Sequence, residues 1–275
     1  MTDTKNDNKK IAFIGCGNMA QAIIGGLVES GWAADNIIAS NPSMPKLALV
    51  EGQFSIRTTL DNKQAANFGD IVVIAVKPQK MADAIGHLSD CDFTDKLIIS
   101  VAAGQPIKQI CKLIGQSPTI VRAMPNTPAL IKQGATGVYA PQSISEANKA
   151  IVKRIFEAIG TITWVDKESQ IDMVTAIAGS SPAYVFLMMQ AMIEQAQSAG
   201  LSDKQAFGLV TQAFSGAAQL AQSMPDKSLE QLRREVTSPG GTTAAAITSL
   251  KNADFESIVK QAVRAAENRG KELAG

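Results

Sequence analysis

The chain has 275 residues, room for two ordinary domains, and 45% of them are apolar, enough for a sizeable core. A net charge of +1, no long basic tract and only 5% aromatic residues argue against a nucleic-acid or membrane-surface role. One histidine, His87, and three scattered cysteines, Cys16, Cys91 and Cys111, give no basis for a metal site, a catalytic triad or a disulfide framework, and they fit a reducing cytoplasm.

In chain order, Met1 to Lys10 is polar and lacks the apolar centre of a signal peptide. No run of about 18 apolar residues is apparent, so a soluble, cytoplasmic protein is expected. Lys10 to Ile14 reads as a short buried strand, followed by Gly15-Cys16-Gly17 and a helix from Asn18 to Ser30 closed by Gly31. Further strands are expected at Asn36 to Ala39, Asp70 to Val76, Lys96 to Ala102 and Thr119 to Ala123, with helices between them such as Ile107 to Ile114. Apolar strands alternating with helices predict a parallel, doubly wound sheet covered on both faces.

After Trp164 the character changes, with Val165 to Glu168 as the linker. A dinucleotide-binding domain over 1–164 and a helical domain over 165–275 are expected. Ser181 with Pro182 is expected to open a helix running to Ala199 and stopped by Gly200. Its turns from Ala183 to Ile193 are apolar on nearly every side, which predicts burial inside the domain or between subunits. Ser202 should cap the next helix, to about Ser223. Ser228 with Gln231 should form a capping box, and Asp254 should cap the last helix, whose apolar stripe is Phe255, Ile258, Val259, Ala262, Val263 and Ala266.

Gly15-x-Gly17-x-x-Ala20 follows the first strand and opens a helix, as dinucleotide binding requires. The first glycine permits the turn, the second lets a pyrophosphate approach the backbone, and Ala20 allows close helix–strand packing. The alternative is a tight turn without a ligand. The second strand ends in Ser40-Asn41 rather than a carboxylate, and Lys46 follows. Nothing there repels a ribose phosphate, which favours NADP over NAD. Lys77, after Ala75-Val76 and before Pro78, either contacts cofactor or substrate or anchors its loop. Arg122 to Pro128 ends a later strand at the same edge, a stiff wall or a purely structural loop. His87 is assigned no role.

The segment Thr237-Ser238-Pro239-Gly240-Gly241-Thr242-Thr243 reads as a tight turn between two helices. Free backbone N–H groups and two threonine hydroxyls there suit a small carboxylate and a neighbouring polar atom. A cofactor turn and a separate anion-binding turn together suggest a reductase of a small acid.

In this order, the segments Phe13 to Met19, Ser40-Asn41, Ala75 to Pro78, Arg122-x-Met124-Pro125-Asn126-Thr127-Pro128, Gly179-Ser180-x-Pro182-Ala183-Tyr184 and Val236 to Thr243 resemble the pyrroline-5-carboxylate reductase family. The resemblance implies a Rossmann-type domain followed by a helical dimerisation domain that interlocks with a partner's. It implies reduction of 1-pyrroline-5-carboxylate to L-proline by NADPH, or NADH, in the last step of proline synthesis. The assembly would be a dimer or a pentamer of dimers. By the same resemblance Ser238, Gly240, Gly241 and Thr242 would hold the substrate carboxylate and Thr243 the ring nitrogen. The expected cofactor set is Gly15, Gly17, Asn18, Met19, Ser40, Asn41, Asn62, Ala75, Val76, Lys77 and Pro78. The family often has arginine after Ser-Asn, where this chain has Pro42. Competing readings are a reductase of another cyclic imino acid, a 3-hydroxyacid dehydrogenase, for which only Lys204 is at hand as acid/base, and a non-catalytic NADPH-binding redox sensor.

Overall fold

The computed structural model describes residues 9–274, so most of the polar segment Met1 to Lys10 lies outside the described residues. Eight strands form one sheet in the order β3-β2-β1-β4-β5-β6-β7-β8. They are β1 (Ile11–Ile14), β2 (Ile37–Ser40), β3 (Arg57–Thr59), β4 (Ile71–Ile74), β5 (Leu97–Ser100), β6 (Thr119–Met124), β7 (Gly134–Tyr139) and β8 (Gly160–Val165). All neighbours run parallel except β6 and β7. The first six strands have the order of a doubly wound dinucleotide-binding sheet.

Both faces are covered. Ile11 and Phe13 point into one core with α1 (Asn18–Glu29), α2 (Met44–Phe54) and α6 (Glu146–Glu157). Ala12 and Ile14 point into the other, with α3 (Asn62–Phe68), α4 (Met81–Ile85) and α5 (Ile107–Ile114). Strands β1, β2, β4 and β5 are buried at every position, as their uninterrupted apolar sequences require. Three strands were not anticipated. β3 is polar and only partly covered, β7 carries two glycines and a threonine, and β8 lies half-exposed at the sheet edge. None presents the apolar run that marks the central strands.

The chain divides into two compact units. One takes the chain up to Pro182 and regains it from Ala266 onward; the other is Ala183–Ala265. In the first, a short helix α7 (Gln170–Val174) packs on β6 and β7 and passes into a π-helical turn, Thr175–Gly179. The returning C-terminal segment docks on the same unit. Leu273 Cβ lies 2.9 Å from where a Cβ on Gly104 would stand.

The helices beyond are α8 (Ser181–Ser198), α9 (Asp203–Ser223), α10 (Leu229–Glu235), α11 (Thr242–Asn252) and α12 (Phe255–Ala274). Ser202 with Gln205 and Ser228 with Gln231 form reciprocal capping boxes. Ser181 does not cap: it lies within the helix, and its hydroxyl donates to the Ala178 carbonyl at 3.3 Å. Asp254 precedes α12 with φ +55°, its carbonyl accepting from the N–H groups of Ser257 and Ile258.

Helix α8 separates the two alternatives expected for it. Within one chain its apolar side chains are exposed: Phe186 by 63%, Leu187 by 70% and Met192 by 43%. Burial inside the domain is thereby excluded. Within the helical run Gln170–Ser198 an 18-residue stretch with a mean hydropathy of 1.4 reaches the length and composition of a membrane span. That corrects the expectation that no such run exists. Ser180, Ser181 and Gln190 interrupt the run to the eye without lowering its mean enough.

Candidate active site

The ends of β1 and β4 make a candidate cofactor site in the first unit. Gly15 has φ +95°, and a Cβ there would lie 2.7 Å from Val76 Cγ1 and 2.8 Å from the Ala75 carbonyl oxygen, so only glycine fits the turn. Its N–H donates to the Ser40 carbonyl at 3.0 Å, tying the turn to β2. Gly17 is the opposite case: a Cβ there meets nothing within 4 Å. It is the N-cap of α1 and provides no side-chain cap. The first-turn N–H groups of α1 therefore open onto free space, the arrangement that receives a pyrophosphate. Ala20 is fully buried, as helix–strand packing at the third motif position requires. These features fit a dinucleotide.

The rest of the expected cofactor set divides by accessibility. Asn18 is exposed on the first turn of α1, and Met19 is half-buried against the core. Ala75 and Val76 are half-buried beyond the end of β4, with the Ala75 N–H donating to the Ile14 carbonyl at 2.8 Å. Lys77 is exposed, and its carbonyl accepts from Lys80 in the short turn that Pro78 begins. Asn62 opens α3, and its amide donates to the Ala84 carbonyl at 2.9 Å, bracing α4. Asn41 is half-exposed, whereas Ser40 is fully buried with its hydroxyl donating to the Phe13 carbonyl at 3.2 Å.

A second, separate candidate site lies in the other unit. Ser238, Pro239, Gly240 and Gly241 form a turn closed by the Gly241 N–H donating to the Ser238 carbonyl at 3.0 Å. Gly240 has φ +71°, which a type II turn demands of the residue after proline. Gly241 is the N-cap of α11, again without a side-chain cap, and the first helical bond runs from Ala245 N–H to the Gly241 carbonyl. The N–H groups of Thr242, Thr243 and Ala244 are thus left to an outside acceptor, and a carboxylate supplies what a capping side chain would. Thr242 is exposed and Thr243 half-buried, so the two hydroxyls stand in different surroundings. The turn opens onto a hollow along α11, past Ala244, Ala245, Thr248 and Asn252. Thr237 braces the preceding corner through a 2.6 Å hydrogen bond from its hydroxyl to the Arg233 carbonyl.

One polar cluster escaped sequence reasoning. Arg122 on β6 is 4% exposed and donates from Nη1 to Glu168 at 3.1 Å. Glu168 Oε1 also accepts the Ile107 N–H at the start of α5, at 2.7 Å. The presumed linker Val165 to Glu168 is thereby fastened to the sheet. The partners are 46 positions apart, and a lone glutamate in a polar stretch gives no sequence signal. Asn126 works similarly. Its amide donates to the Ala178 carbonyl at 3.0 Å and its Oδ1 accepts from Ala135 at 2.8 Å, holding the Arg122 to Pro128 loop to the π-turn. Asp172, on α7, sits beside this cluster. Desolvation holds its carboxyl above the usual carboxylate range, against the opposing charges of Arg122 and Lys271.

Comparison with known proteins was decisive. The family described as pyrroline-5-carboxylate reductase dimerisation matches residues 168–273, and that described as NADP oxidoreductase, coenzyme F420-dependent, matches residues 10–104. The chain is 45% identical to the pyrroline-5-carboxylate reductase of Vibrio alginolyticus, over 97% of this chain and 98% of that one. It belongs to the pyrroline-5-carboxylate reductase family. The solved reductase of Coxiella burnetii is similar in structure, with a TM-score of 0.90 at 40% identity over 98% of this chain and 99% of that one. The Plasmodium falciparum enzyme, solved with NADP bound, gives 0.85 at 30% identity over 98% and 99%. The family places a dimerisation function on the helices whose apolar side chains are exposed here.

Two predictions follow from these geometries. Gly17→Val should leave stability within about 1 kcal/mol, because the space is open, yet abolish NADPH binding measured by calorimetry; Gly15→Ala should lose both, since its Cβ meets backbone. For Asp172, the native carboxyl binds its proton more tightly than the unfolded one, so wild-type stability falls as pH rises through the raised pKa. Asp172→Asn should therefore be the more stable protein at neutral pH. The difference should vanish below the ordinary carboxylate pKa of about 3.9, as read by denaturant unfolding at several pH values.

Proposed function

We propose that this chain reduces 1-pyrroline-5-carboxylate to L-proline with NADPH, the last step of proline biosynthesis, on the residue assignments that follow. The observation that carries the reading is full-length identity at 45% to a reductase of that name, combined with two glycine-capped helix starts at the expected positions. When bound, a nicotinamide cofactor would supply the hydride that the imine carbon accepts. The backbone at Gly240, Gly241 and Thr242, with Ser238 closing the turn, holds the substrate carboxylate at the α11 N-terminus, where the helix dipole favours an anion. The Thr243 hydroxyl, one residue on, orients the ring nitrogen. An imine accepts hydride more readily once protonated, and that proton enters with the substrate or from solution. The residues here contribute orientation and exclusion of water rather than acid–base chemistry.

The dinucleotide-binding domain is taken as 1–164 and the helical substrate and dimerisation domain as 165–275. A second copy of the chain, rather than lipid, covers the apolar faces of α8, as a dimer or a pentamer of dimers. No nucleic acid or membrane partner is invoked. Three unpaired cysteines support a cytoplasmic location. The 3-hydroxyacid dehydrogenase reading lacks support, since Lys204 is an exposed residue in the first turn of α9.

Loss of NADPH absorbance with 1-pyrroline-5-carboxylate tests the reaction, run beside NADH and the six-membered imine. Fast turnover on the five-membered ring is expected. NADPH binding without turnover on either ring would move the redox-sensor reading forward. Thr243→Ala should lower kcat/KM for the imine by about 10-fold or more, the loss of one aligned hydrogen bond, while the Kd for NADPH stays constant. For assembly, Leu187→Glu places a charge in the exposed apolar face of α8 and should reduce the particle mass in light scattering to that of one 29.0 kDa chain. An unchanged mass would exclude that face from the interface.

A further inference from the structure

Ser40 and Asn41 stand at the end of β2, where dinucleotide folds read the adenosine ribose. The Ser40 hydroxyl is committed elsewhere. It is fully buried and donates to the Phe13 carbonyl, while the Ser40 carbonyl accepts from Gly15. Asn41 is held differently: its Oδ1 accepts the Ser43 N–H at 2.9 Å, which leaves the amide NH2 as its outward donor. Pro42, in the next position, has no side-chain donor at all.

The next cation along the chain is Lys46, exposed on the first turn of α2. Among the described residues it makes no ion pair within 4.0 Å. The register of β1 on β2 pairs Ile14 with Ser40, so the turn that opens α2 and the glycine turn leave the sheet side by side. The Lys46 charge accordingly reaches Cys16 inside the glycine turn: burial pushes that thiol up to about 11, and Lys46 opposes the rise. Ser43, the N-cap of α2, makes no side-chain cap, so the N–H groups of Met44 and Lys46 are left open in the first turn of α2, where Pro45 has none. Other cations nearby are engaged or displaced. Arg57 begins β3 at the far end of the strands and donates to the Asp35 carbonyl, Lys63 pairs with Asp90, and Lys77 lies beyond β4, on the other side of β1.

We propose that Lys46, joined by the Asn41 amide, reads the ribose phosphate that separates NADPH from NADH, and that the Ser40 hydroxyl does not. The inference rests on the reading of the chain as an NADPH-dependent reductase. A lysine is a point charge on a flexible stem, so discrimination here comes from charge rather than from a bidentate fork. It is therefore sensitive to ionic strength.

Calorimetric titration of the intact protein with NADPH and with NADH, for wild type, Lys46→Ala, Lys46→Arg and Ser40→Ala, tests this without depending on turnover. Lys46→Ala should weaken NADPH by roughly 10- to 100-fold, the loss of one charge-assisted hydrogen bond, and leave NADH within about twofold. Lys46→Arg should retain most of the NADPH preference. Ser40→Ala should change both affinities by the same factor, because it acts through the sheet. Raised salt should erode the wild-type preference and leave the residual preference of Lys46→Ala unmoved. An unaltered NADPH-to-NADH ratio in Lys46→Ala, or a preference lost in Ser40→Ala alone, would overturn the assignment while a functioning wild type kept the reductase reading. A wild type that binds neither nucleotide would overturn both.

Discussion

A parallel sheet has no face that tolerates water, and that constraint organises the first unit. Ile11 and Phe13 bury on one side of β1 and Ala12 and Ile14 on the other, so helices must cover both sides and each crossover must return to the same end of the sheet. All loops that follow the parallel strands then gather along one edge. The glycine turn after β1, the Asn41 turn after β2 and the Ala75 to Pro78 loop after β4 are neighbours for that reason alone. The packing that stabilises the sheet also collects the cofactor site, although no residue of β1 itself faces the ligand edge with a reactive group.

The two candidate sites, one in each unit, rest on one physical device. Helices α3, α6, α9 and α10 satisfy their own N-termini with Asp61, Ser145, Ser202 and Ser228. Helices α1 and α11 begin at Gly17 and Gly241, which bring backbone and nothing else. Where a serine would close the helix end, glycine leaves open donors, an arrangement that suits an anionic ligand. The contrast needs no special residue chemistry, which agrees with a reaction in which hydride comes from the cofactor.

What was legible in the sequence follows from how local each feature is. Strand β1, helix α5, the Ser202 cap of α9 and the capping box of α10 depend on neighbours in the chain and are legible there. The glycine turns were readable too, because backbone conformation limits the residues that fit. Strands β3, β7 and β8 were not, since their stability comes from pairing rather than from an apolar run of their own. The Arg122–Glu168 pair was invisible for a related reason: only the folded sheet brings the two together. Ser40 is the opposite case. Its position at the end of β2 suggested a ligand donor, but the structure turns the hydroxyl inward, which composition and spacing do not disclose. Helix α8 was recognised as an interface or core helix, and the choice between those required knowing what one chain alone leaves exposed.

The route of the chain has a consequence of its own. The helical unit leaves the first unit at Pro182 and is returned to it at Ala266, so both of its ends are held by the same body. Were its helices to come apart, the segment would become a closed loop rather than a free tail. Much of the entropy of a released chain would be denied to it, and the cost of closing the loop would already have been met when the units folded. Such a segment re-forms without a search through space, and a single cut in the bend at Gly200 would leave both fragments still anchored.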